Sequence, residues 1–449
     1  MKTLCILIFL FVSQFANAKC KAILINGGAD PANNYSVHIA ELREMYNTLT
    51  AKGCAPADIH VFSASGSTES PDFRLDPTAA DSRYVANPYK FDGVARVPNL
   101  YAADKATLQT RIAKLSSEFS AADKVFIYVA DHGTNINGKK GLVPWYGNGN
   151  SSQIFTPEDM EKALAGAPTE TRIKIWTECC YCGAFNRIKR SNTCIATSTD
   201  EFHVGNYNWN NWHDYAKKNM QASGLTSNMY FAGQIKNGAA SQSSLLVASR
   251  VAWARTVDDK QTMAETLAKG CFVGPRDSLE QFVYATLGFA AKQVCLKDIS
   301  KIMGVSTEDK PGCIAATPTD DITKLKIFLE QMKDENAKLN YSERGRLDKL
   351  IADIGILNQR LENSDENRQI KKINADFNKM TESQKIATAS FFQDTVLDLK
   401  ATLAKKYNGN QLLQENQRLI MESLFFAKAT AKQKDEYSRR KQCLEEPLL

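Results

Sequence analysis

Val125-Phe126-Ile127-Tyr128-Val129 runs into Ala130-Asp131-His132-Gly133-Thr134. Five consecutive apolar residues without alternation suit a strand covered on both faces, the condition of a parallel sheet. A second run, Ile173 to Thr177, leads into Glu178-Cys179-Cys180-Tyr181-Cys182-Gly183. Working outward, further strands are expected at Ala22–Ile25, Ile59–Phe62, Cys194–Thr197 and Met229–Ala232. Between them, Val37 to Leu49 and Leu108 to Leu115 repeat apolar residues at three- and four-residue spacing, the mark of helices with one buried side. Thr156-Pro157-Glu158-Asp159 opens another helix, with Thr at the N-cap, Pro in the first turn and acids beside the helix dipole. Strands alternating with helices give an α/β fold, a mostly parallel sheet flanked by helices. Residues 64–102, rich in Ser, Pro, Asp and Gly, read as a long irregular insertion.

The ends of the chain have a different character. In residues 1–18, Lys2 precedes the apolar stretch Leu4–Val12 and Ala16-Asn17-Ala18 supplies small residues for cleavage, the layout of a secretory signal peptide. A secreted or periplasmic location follows, with no stable membrane insertion expected of the mature chain. The formal charge of +6 is spread along 449 residues, so nucleic acid is not an expected partner. Residues 19–240 carry the α/β pattern, and 241–316 read as a helical extension and linker. Residues 317–449 hold none of the five Trp and few Gly or Pro. There Leu347, Leu350, Ile351, Ile354, Leu357 and Leu361, then Ile370, Ile373, Phe377 and Met380, recur at helical spacing. Thr381 with Gln384 forms a capping box, so a separate C-terminal all-α helical bundle is expected.

Ligands of parallel sheets bind beyond the carboxyl ends of the strands. If the 125–129 and 173–177 strands are neighbours, His132 and a cysteine meet there. A thiol near pKa ~8.5 is mostly protonated at neutral pH and gains from an adjacent base. Histidine near pKa ~6.5 takes that proton and returns it to a leaving amine. Backbone N–H groups at Gly133 and at the nucleophile would face a developing oxyanion.

Strand-Asp-His-Gly followed by strand-Glu-x-Cys-x-x-Gly resembles the two-part signature of the legumain-like cysteine peptidases, within the wider caspase- and gingipain-like group. The two motifs lie roughly fifty residues apart, the interval of caspase-type enzymes. The resemblance covers about residues 20–235 and implies a caspase-like domain, with Cys180 as nucleophile and His132 as acid–base partner. It also implies that Asn34, in Asn33-Asn34-Tyr35, orients His132, and that Asp131, Glu178, Tyr181, Ser198 and Asp200 surround the substrate. No cofactor is implied. Ser36 and Tyr181 replace an Arg and a Glu of the family pattern, which removes the expected groups for cleavage after Asn. Asp200 and Glu201 would instead favour Lys or Arg before the scissile bond. The helical C-terminal region admits three roles, an inhibitory pro-region, a partner-binding module or a structural support, and the resemblance favours the first, so autoinhibition and a zymogen are expected by analogy.

Export makes disulfides the natural use of the remaining cysteines. Cys20 and Cys54 bracket the first strand and helix and are candidates to staple them. Cys271, Cys295, Cys313 and Cys443 are further candidates, and Cys179 or Cys182 is a candidate to bridge, with Cys194 one partner. Vicinal cysteines are awkward tetrahedral ligands, so no metal is expected. His38, His60, His203 and His213 read as structural, Trp209 and Trp212 as packing. Arg187-Ile188-Lys189-Arg190 reads as a solvated loop, with a processing site as its alternative. The expected function is an exported endopeptidase acting on protein or peptide substrates. A transamidase or ligase shares the same site, and an inactive disulfide-bearing binding protein is the non-enzymatic alternative.

Overall fold

The computed structural model describes residues 19–68, 97–147, 153–202, 274–289, 362–381 and 429–446, with shorter stretches and isolated positions elsewhere. Residues 1–18, expected to be a signal peptide, and His203, His213, Trp209, Trp212, Met229–Ala232 and Cys313 lie outside the described residues. The strands are β1 (Cys20–Asn26), β2 (Ile59–Ser63), β3 (Phe73–Arg74), β4 (Tyr84–Val85), β5 (Leu100–Tyr101), β6 (Lys124–Ala130), β7 (Gly133–Ile136), β8 (Lys139–Leu142), β9 (Arg172–Glu178), β10 (Thr193–Thr197), β11 (Cys271–Phe272) and β12 (Val294–Cys295). The helices are α1 (Ser36–Ala51), α2 (Lys105–Glu118), α3 (Pro157–Ala163), α4 (Ser278–Thr286), α5 (Asp365–Asn378) and α6 (Ala431–Glu445).

The six-stranded sheet has the order β10-β9-β6-β1-β2-β5, and all its pairings are parallel. The expected strands at 22–25, 59–62, 125–129, 173–177 and 194–197 take five of the six places. The sixth is Leu100–Tyr101, from the stretch expected to be irregular. Two residues pairing along an edge leave too short an apolar run for sequence pattern to register.

Helix α1 turns Ile39, Leu42, Met45, Tyr46 and Leu49 into the core, and the Cys20–Cys54 disulfide ties the start of β1 to its far end. Asp104 caps α2 by accepting from the Thr107 N–H at 2.9 Å, and Thr156 with Asp159 forms a capping box at α3. Ile23, Ile25, Val125, Ile127, Val129, Ile173 and Ile175 form the centre of the packed interior. Burying several such side chains at about 2 kcal/mol each holds the layers together.

The C-terminal helix is not separate from this unit. Cys194 on β10 is bridged to Cys443 on α6, across a sequence separation of 249, and not to Cys179 or Cys182. Glu446 pairs with Arg172, and its carbonyl accepts from Lys174 Nζ at 2.7 Å, both at the start of β9. The outer edge of β10 is further covered by the 276–277 segment, where Thr197 N–H donates to the Arg276 carbonyl at 2.9 Å. Of the expected bundle, α5 and the Thr381–Gln384 capping box are present, while most of 317–428 lies outside the described residues. Among the described residues, no helix is long and apolar enough to cross a membrane.

Candidate active site

Register sets the site. Ala130 pairs with Glu178 at the ends of β6 and β9, so Asp131-His132-Gly133 and Cys179-Cys180 leave the sheet side by side, about 5 Å apart in the pairing direction. The Asp131 N–H donates to the Glu178 carbonyl at 3.1 Å and joins the two exits. A Cβ built on Gly133 would lie 1.7 Å from the Cys180 carbonyl oxygen, so only glycine admits this approach.

Asp131 is buried and its carboxylate is engaged by the backbone. Its carboxylate accepts from the backbone N–H groups of Gly27 and Gly28, both at 2.8 Å, and of His132 at 2.7 Å. These bonds fasten the end of β1 to the His132 loop. Burial outweighs the three donors and pushes the acid up to about 7. Glu178 is likewise internal, accepting from Tyr128 Oη at 2.9 Å and from the Trp176 indole N–H. Burial pushes it up to about 8, against both donors.

The Glu178 shift has a testable sign. An acid whose folded pKa lies above its unfolded value binds more protons when folded. Its contribution is therefore complete below about pH 4 and is lost as pH rises to about 8, at about 1 kcal/mol per pH unit. The stability of Glu178→Gln relative to the wild type should accordingly rise between pH 5 and 8. Denaturant melts of both proteins across that range check this, and a constant difference would contradict it.

His132 is gripped from three sides. Its Nε2 lies 2.6 Å from the Asn33 carbonyl oxygen. A carbonyl only accepts, so Nε2 carries the hydrogen and Nδ1 keeps the lone pair that acts as a base. The Tyr35 ring meets the imidazole at 5.3 Å and 80°, and His38 meets it at 5.0 Å and 80°. Burial lowers the pKa of His132, and the Asn33 carbonyl partly offsets this.

The group held against the histidine is the backbone carbonyl of Asn33, and the Asn34 side chain that the resemblance points to makes no such bond. Asn34 is buried, its amide makes no hydrogen bond to described residues, and it packs on Gly28 (φ +69°), where a Cβ would lie 2.2 Å from the Asn34 amide. His38 was passed over by sequence reasoning. It is fully buried against His132, with Nδ1 at 4.0 Å from the buried Glu41 carboxylate, and burial holds it well below the usual histidine pKa. A His-x-x-Glu spacing near the start of α1 was its only sequence signal.

Cys180 is part-exposed and belongs to none of the three disulfides among the described residues. Its neighbours Cys179 and Cys182 are buried and bridged to each other. Tyr181 follows in the left-handed region, at φ 58° and ψ 15°, and turns the chain sharply into the 3₁₀ turn Cys182–Arg187. Cys180 therefore sits at the tip of a covalently closed turn.

The expected pocket acids are already engaged. Asp200 is buried and accepts from the Phe202 N–H at 2.8 Å and the Gly274 N–H at 2.9 Å. Glu201 is buried and pairs with Arg187. Neither presents an open carboxylate to a basic side chain. Ser198, half-buried, donates its N–H to the Thr177 carbonyl at 2.9 Å. The basic run is solvated in part: Arg187 and Lys189 are exposed, while Ile188 is buried and Arg190 donates to the carbonyls of Ala167 at 3.1 Å and Thr171 at 3.3 Å.

A groove of about 640 Å³ opens between the β7–β8 hairpin, α3 and the 3₁₀ turn, lined by Lys139, Lys140, Glu158 and Arg187 and not by His132, Gly133 or Cys180. Among the described residues no group of His, Cys, Asp and Glu forms a metal site. Chemically, the arrangement joins a thiol at a strained turn to an imidazole of defined tautomer. No protein-family model matches the sequence, and no curated protein matches it.

Proposed function

We propose that the chain is an exported cysteine peptidase of the caspase-like, legumain-like kind. Cys180 acts as nucleophile and His132 as acid–base partner. The observation that carries the reading is the approach of Gly133 to the Cys180 carbonyl, which joins the histidine and cysteine loops at adjacent strand ends. The Asn33 carbonyl supports it by leaving Nδ1 of His132 as the basic nitrogen.

In this reading Nδ1 takes the Cys180 proton, and the thiolate adds to the scissile carbonyl carbon. Backbone N–H groups of Gly133 and Cys180 face the resulting oxyanion. Collapse breaks the C–N bond, and the proton on Nδ1 goes to the leaving amine, so a thioester remains. Water then adds with its proton taken by His132, and the acid and the free thiol are released. A protein or peptide is the substrate class. The engaged state of Asp200 and Glu201 counts against a requirement for Lys or Arg at the cleavage position.

An electrophilic peptidyl ketone probe tests the assignment. Wild-type protein should be labelled on Cys180, Cys180→Ala should not be labelled, and His132→Ala should react on the order of 100-fold more slowly. Persistent labelling of Cys180→Ala would overturn the choice of nucleophile.

A further inference from the structure

Three cysteines crowd into Cys179-Cys180-Tyr181-Cys182, yet only the middle one is left as a thiol. The outer pair closes a loop with a sequence separation of 3, and both its members are buried. One hydroxyl spans the same two residues. Thr199 Oγ1 donates to the Cys179 carbonyl at 2.7 Å and accepts from the Cys182 N–H at 3.1 Å. Thr199 is itself fixed, because Thr197 Oγ1 donates to its carbonyl at 2.7 Å just past the end of β10. The turn is thereby held at both ends by a covalent bond and by a side chain anchored on the neighbouring strand.

We infer that Cys179, Cys182 and Thr199 are positioning residues, which hold the Cys180–Tyr181 tip against the His132 loop. The inference rests on the proposed pairing of Cys180 with His132. Its physical basis is the conformation of the tip. Tyr181 occupies the left-handed region, which is disfavoured for a residue with a Cβ, and such a conformation persists only where its surroundings over-determine it. The Cys180 carbonyl also lies where any side chain at position 133 would stand, so a small shift of the tip breaks the fit. The bridge supplies the constraint along the chain, and the hydroxyl ties the same turn to β10. Disulfides form and persist in oxidising compartments, so this clamp suits the exported location proposed above.

The test follows the thiol directly, by the rate of iodoacetamide alkylation of Cys180 against pH, read by mass spectrometry of the Cys180 peptide. Variants are Cys179→Ala/Cys182→Ala, Thr199→Val, Thr199→Ser and His132→Ala, with folding checked by circular dichroism. The double cysteine variant and Thr199→Val should move the pH midpoint upward, as His132→Ala does, with about 10-fold slower alkylation at pH 7. Thr199→Ser keeps the hydroxyl and should restore the wild-type profile, which a loss of packing alone would not predict. If the double variant does not fold, the Thr199→Val and Thr199→Ser pair decides the matter. Unchanged profiles in the clamp variants, with His132→Ala shifted, overturn this inference alone. An unchanged profile in His132→Ala as well overturns the catalytic pairing and the inference with it.

Discussion

Deleting residues 317–449 is expected to unfold the α/β core instead of freeing the candidate active site. The analogy with an inhibitory pro-region predicts the opposite, a shorter chain with higher activity. The contacts of α6 argue against that outcome. Its Cys443 is bonded to Cys194 on β10, the edge strand of the sheet, and a loop of that separation is worth about 5 kcal/mol in the chain-entropy account. Tyr437 and Leu444 are buried, and Phe425 packs on both Tyr437 at 5.2 Å and Phe282 of α4 at 5.8 Å. Removal would bare apolar surface on α4 and on the edge strand, which invites aggregation. These contacts also lie far from the thiol. Glu446 meets Arg172 and Lys174 at the start of β9, about 20 Å of strand from its carboxyl end, where Cys180 follows.

Soluble yield and thermal unfolding of the truncated chain measure this effect. Cys443→Ser alone should lower Tm by about 10 °C or more under oxidising conditions. A truncated chain with the full-length Tm and faster probe labelling would restore the inhibitory reading.

The second large effect falls on Gly133. Gly133→Ala should abolish thiol-probe labelling, with a loss on the order of 100-fold, and should lower stability by about 3 kcal/mol. A methyl group at this position would sit 1.7 Å from the Cys180 carbonyl oxygen and 2.7 Å from its carbon. Both are backbone atoms of a turn closed by a disulfide, so the strain cannot be relieved by a rotamer change. Either the turn or the His132 loop must move, and a displacement near 1 Å is enough to separate base from nucleophile. The split between Tm and labelling rate reads the two consequences separately. Labelling at the wild-type rate in a folded Gly133→Ala protein would show that the close approach is not needed.

The sheet was legible wherever burial on both faces forces an unbroken apolar run. Val125–Val129 and Ala22–Ile25 can hardly be anything but central strands, and they lie at the centre of the order β9-β6-β1-β2. Helices α1 and α3 were legible for the same kind of local reason, a one-sided apolar spacing and a capping residue. The Cys20–Cys54 bridge could be anticipated because it joins elements adjacent in sequence. His132 and Cys180 were marked by their place just past strand ends, where a parallel sheet exposes its reactive side chains.

Other features leave no signature in residue types. The partner of His132 is a backbone carbonyl, which every residue has, so sequence pointed to the Asn34 side chain while the fold used the main chain of Asn33. His38 belongs to the site only because α1 packs back against the His132 loop. Thr199 reaches Cys179 and Cys182 only because β10 lies beside β9. Cys194 finds Cys443 across a separation of 249, a pairing that the return of α6 to the sheet edge decides. By itself, then, the sequence determined which segments are strands and helices and which strand ends carry chemistry, because local periodicity and burial require little more than neighbouring residues. Only the tertiary structure decided what holds the thiol and the imidazole in place, because those restraints come from main-chain atoms and from side chains brought together by strand order.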